Sequence, residues 1–597
     1  MANNFMINER DVRFVLFEHM KIEELCKHEP FTEFSKEEFD MILNEAIKFT
    51  KNELAPIHEI SDREGAKFDK GRVSLPSAFH SAYQKFSEGG WIAVSRNPEY
   101  GGGGMPTVIR MMALELFEGG CVAFMIYPGL THGVGHLVES FGDDEMKALY
   151  TERLYTGVWS GTMALTEPQA GSHLGDIKTQ AVPVDGKVYK VQGTKAFISA
   201  GEHDLTPNII HMVLARIKGA PEGVRGISMF LVPKIRVNPD GSLGEANDVQ
   251  CIAVENKMGL HGSATCQLAF GENNECLGWL VGEPNRGLIY MFQLMNEARI
   301  SVGMQALGQA SCAYEQALAY TKERIQGADV MDRKGPSVPI IRHPDVRRML
   351  LTMKSTVEGL RALLYLSGLY YDLARIHPDE QERERYSNLL EILTPICKSY
   401  ASDRGYDVLG LAFLCLGGYG YTRDYPMEQF LRDAKVTSIY EGTNGIQALD
   451  LLGRKVFMKE GAAFKALIDE MEKFISAEKD TKDLAPEIAL LKEARQVLKE
   501  VTDFLRPLRA EDPAYFNLVA CPYLDCLGDM VVAWLMLEQA SIALHAIKTN
   551  PPDQNFYQTK LQTAKFFARK NLPIAITRLQ TIRTPDRTPL EMNEAEF

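Results

Sequence analysis

Residues 439–443, IYEGT, carry the group with the clearest chemical use, the carboxylate of Glu441. An expected helix ends near Tyr440 and another starts with Thr443 as its N-cap, which leaves Glu441 and Gly442 in the turn between them. Gly442 lets a ligand approach the backbone closely. A carboxylate held beside such a ligand and sheltered from water can remove a proton as a general base. On local grounds alone, the more common reading is an acid placed at the positive end of a helix dipole. Other chemistries find less support. The ten cysteines form no paired CxxC array, and Cys521 and Cys526 lack a second ligand pair, so no metal site is expected. Gly101, Gly102, Gly103 and Gly104 are not framed by a strand-to-helix turn, so they read as a flexible loop and not as a phosphate fingerprint.

The elements that must position Glu441 follow from hydrophobic period and punctuation. Phe39, Ile42, Leu43, Ala46, Ile47 and Phe49 recur at helical spacing behind Ser35, a plausible N-cap. Gly89–Gly90 and the four later glycines interrupt, and residues 107–118 resume a helix toward Gly142. After about residue 161 the character changes. Residues 187–192, 209–215, 227–233 and 267–270 are short strand-like runs bounded by Gly, Asp or Pro, a small β domain. Helical period returns from about residue 287 and continues past residue 456, where Leu491, Ala494, Leu498 and Val501 mark one apolar face. Helices, strands and then helices again give an α+β, mostly α chain and disfavour a Rossmann domain.

With 597 residues the chain needs more than one packed unit, and we expect residues 1–160, 161–282, 283–455 and 456–597 to be its domains. The formal charge of −14 argues against a nucleic-acid partner. The start of the chain does not read as a secretory signal. The apolar run 530–537, MVVAWLML, is too short to span a bilayer and reads as a buried helix. Scattered cysteines fit reduced thiols in a cytoplasmic protein.

Four separated segments resemble the acyl-CoA dehydrogenase family. They are residues 163–177 (MALTEPQAGSHLGDI), 193–199 (GTKAFIS), 292–303 (FQLMNEARISVG) with 320–327 (YTKERIQG), and 416–447 (LGGYGYTRDYPMEQFLRDAKVTSIYEGTNGIQ). Their order and spacing match over roughly residues 40–455. The resemblance implies an N-terminal helical domain, a middle β-domain, a C-terminal four-helix bundle and an extra helical domain. It implies FAD as cofactor, an acyl-CoA as substrate and an electron-transfer flavoprotein as acceptor. It also implies a homodimer or dimer of dimers.

By the same resemblance, Glu441 removes the α-proton, while flavin accepts the β-hydride and the product is a trans-2-enoyl-CoA. Met163, Leu165 and Thr166 would run beside the flavin, and Gly171 and Ser172 near phosphate or acyl-CoA. Phe197 and Ser199 stand where the family commonly has Trp and Thr, keeping a ring and a hydroxyl for the isoalloxazine. Arg324 would meet the FAD pyrophosphate, with Gln326 and His343 as helpers, across from Gly417 and Gly418 of a neighbouring subunit. Arg299 and Asn296 would line the CoA side, unless Arg299 serves as an ion-pair partner. Tyr440 and Gly442 would touch substrate and Thr443 the cofactor. Leu414 and Gly445 occupy cofactor-side positions where relatives often have Gln.

Some relatives place the base at the position of Ala298, which cannot take a proton; Glu297 beside it is turned by about 100° around a helix. The segments around 239–249 and 328–340 and the 456–597 extension resemble the large subfamily that includes 3-methylmercaptopropionyl-CoA dehydrogenases. The extension shows no recognisable chemistry; Glu493 and Glu500 break up the basic residues of its polar face, which argues against membrane association. An oxidase using O2 and a non-catalytic binding protein on the same fold are the competing readings. The acyl chain is left open, since pocket-floor residues near 127–131 do not reveal which side chains point inward.

Overall fold

The computed structural model describes residues 4–597; residues 1–3 of the expected first domain lie outside them. Its contacts divide the chain into two units. Of the described residues, the first comprises 4–5, Glu45–Met105 and Leu116–Ala298; the second comprises Met6–Asn44, Pro106–Glu115 and Arg299–Phe597.

Helix α1 (Lys36–Phe49) starts as expected: the Ser35 hydroxyl accepts from the Glu38 amide at 3.3 Å and donates to its carboxylate at 3.0 Å. The first of these bonds satisfies a helix-end donor that would otherwise have no partner. Phe39, Leu43, Ala46 and Ile47 are buried. Helix α2 (Ser77–Glu88) stops at Gly89 and Gly90. The four-glycine segment is a loop, but a pinned one. Amides of Gly102, Gly103, Gly104 and Met105 donate to carbonyls of Asn97, Ala93, Arg96 and Val94 at 2.9–3.1 Å. A Cβ at Gly102 would lie 2.2 Å from the Arg96 carbonyl oxygen, so the glycines serve close backbone approach, not mobility. Helix α3 (Thr107–Phe141) follows; residues 107–115 belong to the second unit and 116–141 to the first.

The core of the first unit is, among the described residues, an eight-stranded sheet. Its strands are β1 (Ser160–Ala164), β2 (Gln180–Asp185), β3 (Val188–Ser199), β4 (Ile209–Ile217), β5 (Ile227–Pro233), β6 (Val249–Val254), β7 (Thr265–Phe270) and β8 (Leu277–Leu280). They run in the order β6-β7-β3-β8-β5-β4-β1, and β2 pairs with β3 and β4. β1 lies parallel to β4, with Met163 opposite Met212, and β4 antiparallel to β5. Both central strands, β4 and β5, are almost wholly apolar and buried, which is the pattern of a sheet covered on both faces. The segment near 239–249 includes the turn and outgoing strand of a hairpin, Ile235–Val237 with Leu243–Ala246.

The second unit is built on helices α4 (Gly287–Glu323, from Arg299 onward), α5 (Pro344–Ile376), α6 (Glu380–Cys415), α7 (Met427–Lys435) and α8 (Asn444–Asp450). Helices α9 (Ala462–Ala477), α10 (Ala485–Glu511), α11 (Ala520–Lys548) and α12 (Gln554–Ile582) extend it. The extension packs on the preceding helices: α11 lies on α5, α6 and α8. Leu491, Ala494, Leu498 and Val501 all face inward on α10. The 29-residue α11 is long and apolar enough by composition to cross a membrane, yet 67% of its most apolar stretch is buried inside the protein. Within it Asp529 accepts from the Tyr400 hydroxyl at 2.7 Å, a polar contact suited to a core helix.

A buried ionic network closes this unit. Arg361 bonds Asp11, Glu115 and the Ser311 hydroxyl, while Lys560 bridges Asp11 at 2.7 Å and Glu358 at 2.9 Å. Lys354 completes the Glu358 pairing, and the Tyr365 hydroxyl donates to Glu115 at 2.7 Å. Burial alone would raise the Asp11 carboxyl, but Lys560 and Arg361 outweigh it and hold the group well below the usual carboxylate range.

Candidate active site

Glu441 lies in a short connection of the second unit, between the single 3-10 turn Val436–Ser438 that follows α7 and the start of α8. Thr443 caps α8 as expected, its hydroxyl accepting from the Ile446 amide at 3.2 Å. Glu441 itself has φ +56° and Gly442 φ +86°. Left-handed backbone is costly for a glutamate and persists where its surroundings impose it, most often at functional sites. Here the Gln447 amide imposes it, donating to the carbonyls of Glu441 at 3.2 Å and Gly442 at 3.4 Å. A Cβ on Gly442 would stand 2.7 Å from that amide nitrogen, so both space and φ require glycine. The Tyr440 hydroxyl donates to the buried Gln305 on α4 and steadies the other side of the turn.

The Glu441 side chain is half-buried, and among the described residues it has neither a hydrogen bond nor an ion pair. Burial raises its pKa, against the downward pull of Arg299 and Lys398. A carboxylate in this state is exposed enough to meet a ligand, and burial makes it a stronger base than a solvated carboxylate. Arg299 is 4% exposed and pairs with Asp450 at 3.3 Å, the ion-pair role that sequence left open. Lys398 and Lys455 are also buried, each pushed down to about 8 by burial.

Elsewhere in this unit, Arg324, Gln326 and His343 converge on an exposed hairpin, Ile325–Ala328 with Ser337–Pro339, formed by the 328–340 segment. Arg324 donates to the Gln326 side chain at 3.3 Å, and a His343 ring nitrogen lies 2.7 Å from the Gln326 carbonyl. Gly417 and Gly418 are exposed, and a Cβ on either would meet nothing within 4 Å. Leu414 beside them is 61% exposed. Gly445 sits half-buried on the first turn of α8.

In the first unit, β1 carries Met163, whose side chain joins the core, so only its backbone is left for a ligand. Leu165 and Thr166 follow it and are tied to β3: Lys195 donates to the Leu165 carbonyl and the Ala196 amide to the Thr166 carbonyl, both at 2.9 Å. Lys195 also pairs with Glu167 at 2.9 Å, and Glu167 in turn accepts from Thr179 and Lys178. Pairing of β3 with β7 slips at this point, two residues, Ala196 and Phe197, opposing Gln267 alone. That bulge turns Phe197 outward with φ +58° and 63% exposure. Ser199 is half-buried, its carbonyl accepting from Thr162 at 2.5 Å, and Gly171 and Ser172 are exposed.

Asn296 and Glu297 fall on the first-unit part of α4. Glu297 is enclosed by Arg96 at 2.6 Å and His136 at 2.9 Å, with His132 hydrogen-bonded to Arg96. Burial raises its carboxyl, but Arg96 and His136 outweigh this and hold it well below the usual range. A carboxylate so engaged is a poor base, which removes the neighbour of Ala298 as a rival to Glu441.

Family matches cover nearly the whole chain. Residues 36–158, 162–272 and 285–456 match the acyl-CoA dehydrogenase N-terminal, middle and C-terminal domains, and residues 467–593 the acetyl-CoA dehydrogenase C-terminal-like domain. The sequence is 36% identical to a butyryl-CoA dehydrogenase of Syntrophomonas wolfei, over 100% of this chain and 99% of that one. The chain belongs to the acyl-CoA dehydrogenase family. It is also 39% identical to the 3-methylmercaptopropionyl-CoA dehydrogenase of Ruegeria pomeroyi, over 94% of this chain and 95% of that one. In fold it is similar to Caenorhabditis elegans ACDH-11, solved with C11-CoA, at TM-score 0.74 and 20% identity over 100% of this chain and 96% of that one.

Against this acyl-CoA dehydrogenase frame, sequence reasoning missed four groups around Glu441: Lys398, Asn444, Gln447 and Asp450. Two of them, Asn444 and Gln447, lie inside the quoted 416–447 segment. Their amide side chains three and six residues after the acid were the available signal. Lys398, on a helix separate in sequence, offered none.

Proposed function

We propose that this chain removes the α-proton and β-hydride of an acyl-CoA thioester, leaving the trans-2-enoyl-CoA, with Glu441 as the base. The observation that carries this reading is the half-buried carboxylate, without a hydrogen bond or ion pair among the described residues, held on left-handed backbone. The cofactor is FAD, and the surfaces available for it suit its parts. Phe197 offers an exposed ring to a flat heterocycle. The carbonyl-tied Leu165–Thr166 backbone fits its edge, and Arg324 fits a pyrophosphate. The open backbone at Gly171, Gly417 and Gly418 admits close approach. Bound FAD supplies the acceptor for the β-hydride.

The protein's own part is to hold the proton acceptor ready. Gln447 and Thr443 fix the turn, Gly442 admits the thioester, and the Glu441 amide is suited to donate to its carbonyl oxygen as charge develops there. Electrons then pass to an electron-transfer flavoprotein. Ile325 and Met331, in the hairpin segment that follows Arg324, are 55% and 90% exposed, and Leu414 and Tyr421, flanking Gly417 and Gly418, are 61% and 83% exposed, apolar groups suited to cover by a second copy of the chain. Ten unpaired thiols and a buried α11 favour a cytoplasmic, aqueous setting.

The test is turnover of saturated acyl-CoAs with an artificial electron acceptor, read as enoyl-CoA product. Straight-chain, aromatic, dicarboxylic and thioether thioesters should be compared. Formation of the 2-enoyl thioester from at least one is expected; none from any would reject the reading, and peroxide released at the turnover rate would favour the oxidase. Arg324→Ala should weaken FAD retention about 10- to 100-fold, the scale of a charge-assisted hydrogen bond. Flavin absorbance per chain after dialysis measures it, and undiminished flavin would detach Arg324 from the cofactor.

A further inference from the structure

Lys398 is a fully buried lysine on α6 whose ammonium makes its hydrogen bond to a neutral group, the Asn444 carbonyl oxygen at 2.8 Å. Among the described residues no carboxylate lies within ion-pair distance of it. That sets it apart from the other buried cations of the region. Arg299 is matched by Asp450, and Lys455 is matched by Glu391. A buried cation without its own counter-ion is costly, and an apolar residue of similar size would make the position more stable.

The use of that charge lies in what faces it. Its ammonium interacts with Asp403 on its own helix, with Glu441 on the connection before α8, and with Arg299 on α4. The acids of the adjoining α11, Asp525 and Asp529, interact instead with Arg404. Asn444 is the first residue of α8, three positions after Glu441, and its amide oxygen also accepts from Ser402 at 3.2 Å while its amide nitrogen donates to the Ser399 carbonyl at 3.3 Å. The turn bearing Glu441 is thus fastened to α6 through one amide, and the cation at that fastening point acts on the carboxylate.

We propose that Lys398 is a positioning residue that anchors the Glu441 turn through Asn444 and sets a positive charge at that anchor, which favours the charged form of the Glu441 carboxyl. The proposal rests on Glu441 being the base. Burial pushes the Lys398 ammonium down to about 8, so its charge is present through the neutral range and fades above it. Without that charge the Glu441 proton affinity rises, and more of the carboxyl is protonated at a given pH.

The test compares Lys398→Met, Lys398→Gln and Lys398→Arg in the FAD-loaded full chain. Met removes charge and hydrogen bond. Gln removes only the charge, and it carries the comparison if Met prevents folding. The acid limb of the kcat/KM profile should move up by about one pH unit in Met and Gln and return toward wild type in Arg. A pH-titrated infrared difference spectrum against Glu441→Gln reads the same carboxyl without turnover and should show the same displacement. A limb and a carboxyl band unmoved in Lys398→Gln would overturn the assignment. Glu441→Gln with near-normal turnover would instead overturn the base itself, so the two failures are distinct.

Discussion

Glu441→Gln lowers the rate of acyl-CoA dehydrogenation by about 10²–10⁴-fold or more, the range a positioned general base contributes. Glutamine is nearly isosteric with glutamate and leaves the φ of +56° and the Gln447 contacts to the backbone in place. The carboxylate makes no hydrogen bond or ion pair among the described residues, so the folded state loses little with it. The expected result is therefore an inactive enzyme with normal FAD content, normal acyl-CoA binding and a wild-type melting curve. Gly442→Ala should be inactive for another reason: at φ +86°, with Gln447 2.7 Å from the new Cβ, it displaces the base. Steady-state kinetics beside flavin content separates the two.

Arg361→Met destabilises the second unit by about 3–5 kcal/mol, because it strands buried carboxylates. Glu115 would keep only the Tyr365 hydroxyl, and Asp11 only Lys560. Such a loss is a large fraction of the roughly 5–15 kcal/mol that holds a typical domain. Arg361→Lys keeps the charge without the fork that reaches Asp11, Glu115 and Ser311 together, and should recover part of it. Deleting residues 1–20 removes Asp11 and should destabilise the same unit. The Asp11 pKa is depressed, so its stabilisation is complete above the ordinary carboxylate range and is lost as pH falls through its folded value. Urea unfolding with and without the first 20 residues measures these effects; an unaltered midpoint in Arg361→Met would contradict them.

Local features were legible in the residues. The Ser35 cap, the strand at 227–233, the inward face of α10 and the Thr443 cap all depend on neighbours a few positions away, and each stands where its pattern put it. The position of Glu441 in a turn was legible for the same reason. Its left-handed backbone was not, because glutamate has no preference for that region and the Gln447 amide that holds it, though only six positions on, reveals its hydrogen bonds only once the turn is folded. The glycines at 101–104 read as a mobile loop because composition reports freedom in an isolated chain; four hydrogen bonds to the 93–97 segment remove that freedom. The ionic network was invisible, since Asp11 and Lys560 are 549 positions apart. Lys398 was equally so, because a lysine among helical residues carries no mark of burial. The extension shows no chemistry in sequence, and its apolar helical faces are used for packing: α11 lies on α5, α6 and α8.

The half-reaction between bound FAD and acyl-CoA needs no external acceptor. Purified FAD-loaded protein, mixed anaerobically with the acyl-CoA that turns over best, should lose its flavin absorbance in the wild type. The Glu441→Gln variant should bind the same thioester and keep its yellow spectrum. Bleaching of that variant at the wild-type rate would contradict Glu441 as the base, and a wild type that no acyl-CoA bleaches would contradict the reaction.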